Sequence, residues 1–227
     1  MRSAPEDTAN LPLFAFAHEL RQPLRAIILR SQVLLRRETF DQAAVVEAVR
    51  GIIAAARLQD SLIASVVEFS DADPAEHGTA TQLLPLAVQG ALMRLEATRA
   101  ASGGRILAAG LPEVRVSAAV GTIIEKLLSN ALKFCPASGA PEVTVTAEIE
   151  ADHVQVCLTD AGIGIPSEYR LQVFEPFKRL HPAGAFPGHG MGLAIGRRLA
   201  KCMAGSLEIV DPPLGVGTRV VLRAPIL

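Results

Sequence analysis

Small and apolar residues recur at alternating steps of three and four along Leu13, Ala17, Leu20, Leu24, Ile27, Ser31 and Leu34, and again along Val45, Val49, Ile52, Ala56, Ile63 and Val66. That spacing keeps one stripe of an α-helix apolar and predicts two long amphipathic helices. Ile28 and Leu35 widen the first stripe towards a second neighbour. Asn10 can cap the first helix, with Pro12 in its first turn, and Thr39 or Asp41 can cap the second after the polar break Arg36-Arg37-Glu38-Thr39. Each arm is about 25 to 30 residues and near 40 Å long. Two such arms cannot cover all the apolar surface they carry. The expectation is a helical hairpin that pairs with a second copy as a homodimeric four-helix bundle; packing on the rest of the same chain is the alternative.

On the first helix His18 lies about 100° round from Ala17, beside Arg21, Gln22 and Arg25, so it flanks the seam and faces water. Glu19 follows it at once. Pro23 removes a backbone donor within the helix and should bend or loosen the turn that carries His18. Read alone, the His18–Glu19 pair is an ordinary solvated pair on a polar face.

Composition shifts to short polar residues with proline and glycine at 70–78, and the domain boundary is placed there, dividing the chain into 1–73 and 74–227. Beyond it the pattern predicts a helix over 81–100, a strand over 105–109, a long helix over 118–134, adjacent antiparallel strands over 142–149 and 153–159, a helix over 191–203, and closing strands over 206–210 and 218–223. Strands and helices mix without βαβ regularity, so the second domain reads as an α+β sandwich with a mixed, largely antiparallel sheet. The 227 residues carry a net charge of −1, which leaves no electrostatic footprint for nucleic acid. Cys135, Cys157 and Cys202 are odd in number and widely spaced, as for free thiols in a reducing compartment, and no apolar run is long enough to span a membrane. A cytoplasmic chain is expected.

Three clusters in the second domain carry chemistry. Asn130 and Lys133 share a face of the long helix one turn apart, where an amide oxygen and an ammonium could hold a magnesium ion and a phosphate. Asp160-Ala161-Gly162-Ile163-Gly164 follows a strand: Gly162 and Gly164 allow close backbone approach, and the carboxylate can accept from an exocyclic amine such as that of adenine. A plain turn is the other reading. It is neither a Rossmann fingerprint nor a Walker loop. Gly188-His189-Gly190-Met191-Gly192-Leu193 opens the next helix, whose outward N–H groups and dipole suit a polyphosphate. Before it, the segment 174–184 resembles a mobile lid, with Lys178 and Arg179 as cations to meet phosphate.

In this order the clusters resemble those of the ATP-binding domain of sensor histidine kinases, within the gyrase, chaperone and mismatch-repair ATPase superfamily. Residues 130–134 resemble the N box, 160–165 the first glycine box, 174–177 the F box, 188–193 the second glycine box, and 18–23 the H box of the phosphoacceptor hairpin. The short lid and Arg179-Leu180-His181 also resemble phytochrome-type kinases. The resemblance implies ATP and Mg2+ as cofactors, with Asn130 on the metal, Lys133 on phosphate, Asp160 on the adenine amine and Gly188, Gly190 and Gly192 around the triphosphate. Phe134, Gly162, Gly164, Lys178, Arg179 and Leu193 complete the expected nucleotide contacts. It further implies that His18 accepts the γ-phosphoryl group with Glu19 as base, then passes it to an aspartate of a response-regulator receiver domain, under an upstream sensor domain or partner.

Some residues depart from the family pattern. Lys126 stands where many members have a second asparagine, one turn before Asn130, and Glu125 is beside it. A lysine there cannot coordinate magnesium but could bind phosphate. Gln22 replaces the Thr or Asn that many bifunctional members use to position water for receiver dephosphorylation. His189 replaces a small residue, and His77, His153 and His181, which form no ligand spacing, are assigned to the surface. A degenerate kinase serving as scaffold or phosphotransfer intermediary is the alternative function, and an ATP hydrolase a third.

Overall fold

A computed structural model describes residues 13–36, 41–71, 80–136, 139–182, 186 and 188–227. The expected caps Asn10 and Thr39, Pro12, His77, most of the 70–78 boundary segment, and Ala183 and Gly184 of the lid lie outside the described residues. The chain divides into two compact units, Met1–Val67 and Glu68–Leu227.

The first unit is built from α1 (Leu13–Leu35) and most of α2 (Gln42–Asp71). Asp41 caps α2: its carboxylate accepts from the Ala43 N–H at 3.2 Å, satisfying a first-turn donor that has no partner within the helix. Helix α1 runs unbroken across Pro23, which is itself buried. Proline has no N–H to return to the Glu19 carbonyl four residues earlier, so the turn after His18 lacks one rung. The helices bury Phe16, Ala55 and Leu62, each one position before an expected stripe residue, and leave Leu24, Ile28, Leu29, Val33, Val46, Val49, Ile53 and Ile63 more than two-fifths exposed. The apolar surface predicted to exceed what a hairpin can cover is therefore present on this unit.

The second unit layers helices on a sheet. Its elements are β1 (Thr81–Leu83), α3 (Leu84–Arg94), α4 (Glu96–Ser102), β2 (Arg105–Ala108), β3 (Arg115–Ser117), α5 (Ala119–Lys133), β4 (Glu142–Glu150), β5 (His153–Asp160), α6 (Gly192–Cys202), β6 (Ser206–Val210) and β7 (Thr218–Pro225), with 3-10 turns at Ser167–Tyr169 and Gln172–Phe174. Strands β2-β4-β5-β7-β6 form one sheet, parallel between β2 and β4 and antiparallel elsewhere, while β1 and β3 pair separately. Strict alternation along β4, β5 and β7 puts Val145, Val154, Val156, Leu222 and Ala224 inward, where α5 and α6 cover them. Helix α5 supplies Ile123, Ile124, Leu127 and Leu128 to the same core, each side chain worth about 1.5–3 kcal/mol on burial.

The helix expected over 81–100 is three elements. Thr81–Leu83 is extended because it pairs with β3, and the Gln82 amide donates to the Ala118 carbonyl at 3.1 Å. Pro85 suits the first turn of α3, which needs no donor there, and fixes its start. The chain breaks again at Leu95, whose ψ of 2° ends α3 before α4. Strand β3 is three residues long, too short to show a period in the sequence.

Gly217 lies where the β6–β7 turn crosses the end of β5. It has φ +81°, and a Cβ there would overlap the Asp160 carbonyl oxygen. Gly215 in the same turn has φ +70°, with nothing within 4 Å of its Cβ position. Gly217→Ala is expected to cost about 2 kcal/mol or more, and Gly215→Ala only about 1 kcal/mol of backbone strain. Denaturant midpoints of the two variants check this. Equal losses would show that the close crossing does not limit the fold.

Candidate functional site

On α1, His18 is exposed, with its Nδ1 3.4 Å from Glu19 Oε1 and 3.4 Å from Gln22 Nε2. Both neighbours address the same ring nitrogen. The two make opposite demands on it: a protonated Nδ1 donates to Glu19 and leaves the lone pair on Nε2, whereas an unprotonated Nδ1 accepts from the Gln22 amide N–H.

In the second unit the site is built on one face of α5. Lys126, Asn130 and Lys133 are four and three residues apart, so they share a half-exposed stripe opposite the buried Ile124, Leu128 and Leu132. The start of α6 lies along this stripe. A Cβ on Gly192 would be 3.7 Å from Asn130 Nδ2, and one on Gly188 would be 3.0 Å from Lys133 Nζ. Gly190, at φ +75°, has its Cα against the Lys178 and Phe177 backbone. Of the three glycines of this loop, Gly190 is required by a close approach and by its positive φ, Gly188 by its φ of +118°, and Gly192 by neither, while the first-turn N–H groups of α6 open beside Asn130.

The first glycine loop closes the other side. The Phe134 carbonyl at the end of α5 accepts from Ile163 N–H at 3.0 Å, and Gly162 passes so close to that oxygen that a Cβ would be 2.5 Å from it. Asp160 Oδ1 accepts from Gly162 N–H at 2.8 Å and Thr218 N–H at 3.1 Å. Burial pushes the Asp160 carboxyl above its usual range, and the bonds from Gly162 and Thr218 oppose that shift. Gly164, at φ +74°, abuts the Gly217 carbonyl.

Lys133 sits 4.1 Å from the centre of the Phe134 ring. Burial, reinforced by the charge of Arg179, lowers its pKa from 10.5 to about 8. Arg179 itself donates to the Pro182 carbonyl at 3.4 Å and the Phe186 carbonyl at 3.0 Å. The rings of Phe134, His181 and Phe186 cluster, with centroids 4.9 to 6.2 Å apart.

The structure thus brings together Asn130, Lys133, Phe134, Asp160, Gly162, Gly164, Gly188, Gly190 and Gly192, with Leu193 in the first turn of α6. Lys178 enters through its carbonyl beside Gly190, and Arg179 through the lid. His18 and Glu19 belong to the first unit. His181, assigned to the surface, is partly exposed and packs beside the Phe134 and Phe186 rings. Gly217 and Thr218, which shape the seat of Asp160, went unnoticed in the sequence, although Gly215-Val216-Gly217 marks their turn. Lys126 donates to Glu68 at 2.7 Å and Arg94 donates to Glu125 at 2.5 Å, so the two charged residues one turn before Asn130 are both ion-paired. Among the described residues no cluster of three His, Cys, Asp or Glu could hold a metal. The site suits a magnesium ion only as one carried largely by phosphate oxygens and water, with the Asn130 amide oxygen as a protein ligand.

Residues 116–227 match the family described as histidine kinase-, DNA gyrase B- and HSP90-like ATPase. The virulence sensor protein BvgS of Bordetella bronchiseptica is 32% identical over 223 residues, which cover 92% of this chain and 18% of that protein. Cyanobacterial phytochrome A of Nostoc is 29% identical over 222 residues, 96% of this chain and 29% of the relative. The chain spans less than a third of the length of either. Among solved structures, histidine kinase ThkA in complex with response regulator protein TrrA superposes with a TM-score of 0.71 at 17% identity, over 96% of this chain and 62% of that one. No helix among the described residues is long and apolar enough to cross a membrane. With an ATPase domain of this type following a helical hairpin, and with the signal transduction histidine-protein kinase/phosphatase MprB of Mycolicibacterium vanbaalenii 31% identical over 219 residues, 90% of this chain and 44% of that protein, the chain belongs to the sensor histidine kinases as a catalytic core.

Proposed function

We propose that this chain binds ATP in the second unit, transfers the γ-phosphoryl group to His18, and passes it on to an aspartate of a receiver domain. The observation that carries the reading is the convergence of Asn130, Lys133, Asp160 and the glycine loop 188–192 on one face of α5, together with a His18 whose Nδ1 faces Glu19 and Gln22. The α2 end of the hairpin and the exposed apolar stripes of α1 and α2 support a homodimer, and the complex named for ThkA supports a response regulator as partner. The expected division of labour, a phosphoacceptor hairpin over 1–73 and a catalytic domain over 74–227, goes with this reading.

In the proposed mechanism Asp160 accepts a hydrogen bond from the adenine amine, while the Gly162 and Gly164 backbone lies close to the base. Lys133 and the α6 N–H groups meet the phosphates, and Arg179 neutralises charge once it leaves the lid carbonyls. A magnesium ion held through Asn130 would screen the β- and γ-phosphate charges. His18 Nε2 attacks the γ-phosphorus as the bond to the bridging oxygen of ADP breaks. The Nδ1 proton moves to Glu19, so the phosphohistidine forms neutral at that nitrogen. A second reading, a binding scaffold without transfer, has one observation in its favour: Lys126, at the position where relatives have a metal-binding asparagine, is engaged with Glu68.

Incubation with γ-labelled ATP and magnesium should give acid-labile label on the chain that vanishes in His18→Ala. Nucleotide binding without any label would favour the scaffold. Glu19→Gln should keep nucleotide affinity yet slow labelling by about 10²-fold or more, the usual scale for a lost general base; an unchanged rate would remove Glu19 from the mechanism.

The lowered pKa of Lys133 gives a third test. Near pH 8 about half of this lysine is neutral before binding, and an adjacent polyphosphate favours its charged form and raises its pKa. Nucleotide binding should take up protons at pH 8 to 9, and uptake should fade below about pH 7, where the free protein is already protonated there. Calorimetry in buffers of different ionisation enthalpy measures this. Uptake that persists in Lys133→Met would assign it to another group.

A further inference from the structure

The last turn of α2, from Glu68 onward, is part of the second compact unit, and two contacts hold it there. Glu68 Oε2 accepts from Lys126 Nζ at 2.7 Å, both side chains being about a third exposed or less. Phe69 is buried, with the Arg198 guanidinium 4.8 Å from its ring centre. Lys126 is on α5 and Arg198 on α6, the two helices that frame the candidate nucleotide site. One helical turn thus grips both walls.

Lys126 stands at the end of the stripe that continues through Asn130 to Lys133. One turn of helix, about 6 Å along the axis, separates it from Asn130, a span its flexible four-carbon stem can cover. The same ammonium can therefore reach either Glu68 or a phosphate beside Asn130, and a polyphosphate carries more negative charge than one carboxylate. Its other charged neighbour on α5, Glu125, is occupied by Arg94. The ammonium has one carboxylate to give up and no second one to fall back on among these contacts.

We propose that Lys126 is shared between two anions, Glu68 in the absence of nucleotide and the polyphosphate of a bound nucleotide, so that Glu68 competes for the site and nucleotide loosens the last turn of α2. This rests on the nucleotide-site reading of the second unit. Lys126 acts as a phosphate ligand whose availability is set by the hairpin's own carboxylate. Arg198 over Phe69 keeps the turn attached when the ion pair opens, which makes the exchange reversible.

Binding of adenylyl imidodiphosphate with magnesium, measured by calorimetry, tests the proposal in the unaltered chain, Glu68→Gln, Lys126→Met and the double variant. Glu68→Gln should tighten binding by about threefold, the scale of one half-exposed ion pair. Lys126→Met should weaken it, and Glu68→Gln should then have no further effect. Lys126→Arg, which keeps the charge, should restore the Glu68→Gln effect. Adenosine, which lacks phosphates, should bind equally well to all four. An equal Glu68→Gln effect with and without Lys126, no effect at all, or the same tightening for adenosine would overturn the competition. Hydrogen exchange supplies an independent readout: amides over 67–71 should exchange faster with the analogue in the unaltered chain and not in Lys126→Met. Failure of the unaltered chain to bind the analogue would instead overturn the nucleotide-site reading, and this inference with it.

Discussion

One carboxylate oxygen of Asp160 accepts two backbone N–H groups, from Gly162 and from Thr218, and much of the second unit is arranged so that it can. The first bond turns the chain sharply at the end of β5, and the second ties that turn to the start of β7. Both need bare backbone nearby: Gly162 against the Phe134 carbonyl and Gly217 against the carbonyl of Asp160 itself. A half-buried carboxylate would otherwise lose hydration without return, and burial does raise its pKa. The Oδ1 atom is thereby given to the fold. The Thr218 side chain bonds the same carboxylate, so the group is held by backbone and side chain together.

The same economy of contact appears across the site. The Phe134 backbone holds the first glycine loop, its ring supports Lys133 on one side and the lid residues His181 and Phe186 on another, and its position at the end of α5 places all three. Arg179 braces the lid through carbonyls and also depresses the Lys133 pKa. Arg179 and Lys133 are in this way electrostatically linked.

Much of this was legible in the residue order because periodicity and glycine spacing are local. The amphipathic period of α1 and α2 and the alternation in β4 and β5 act over a few residues, and the glycines at 162, 164, 188, 190 and 192 stand out by their spacing, although the atoms that Gly162 and Gly164 approach belong to Phe134 and Gly217. What escaped notice depends on distant partners. Thr81–Leu83 reads as helix until β3 arrives to pair with it, Gly217 looks like any hairpin glycine until Asp160 lies beneath it, and His181 shows no partner until two phenyl rings come beside it. Lys126 was singled out as a departure at the nucleotide site, but its carboxylate partner lies 58 positions away, beyond the reach of any spacing argument.

The strand order carries a consequence for how such a core behaves when crowded beside copies of itself. Its longest strands, β4 with nine residues and β5 and β7 with eight each, lie inside the sheet, whereas the two edges are β2 with four residues and β6 with five. An edge offers unpaired backbone groups to any extended neighbour, and its length sets how many rungs a stray pairing could form. Short rims, one of them beginning with Arg105, leave little template for sheet-to-sheet polymerisation. The longest runs of strand backbone are thereby paired on both sides, and a neighbouring copy meets only the short ones.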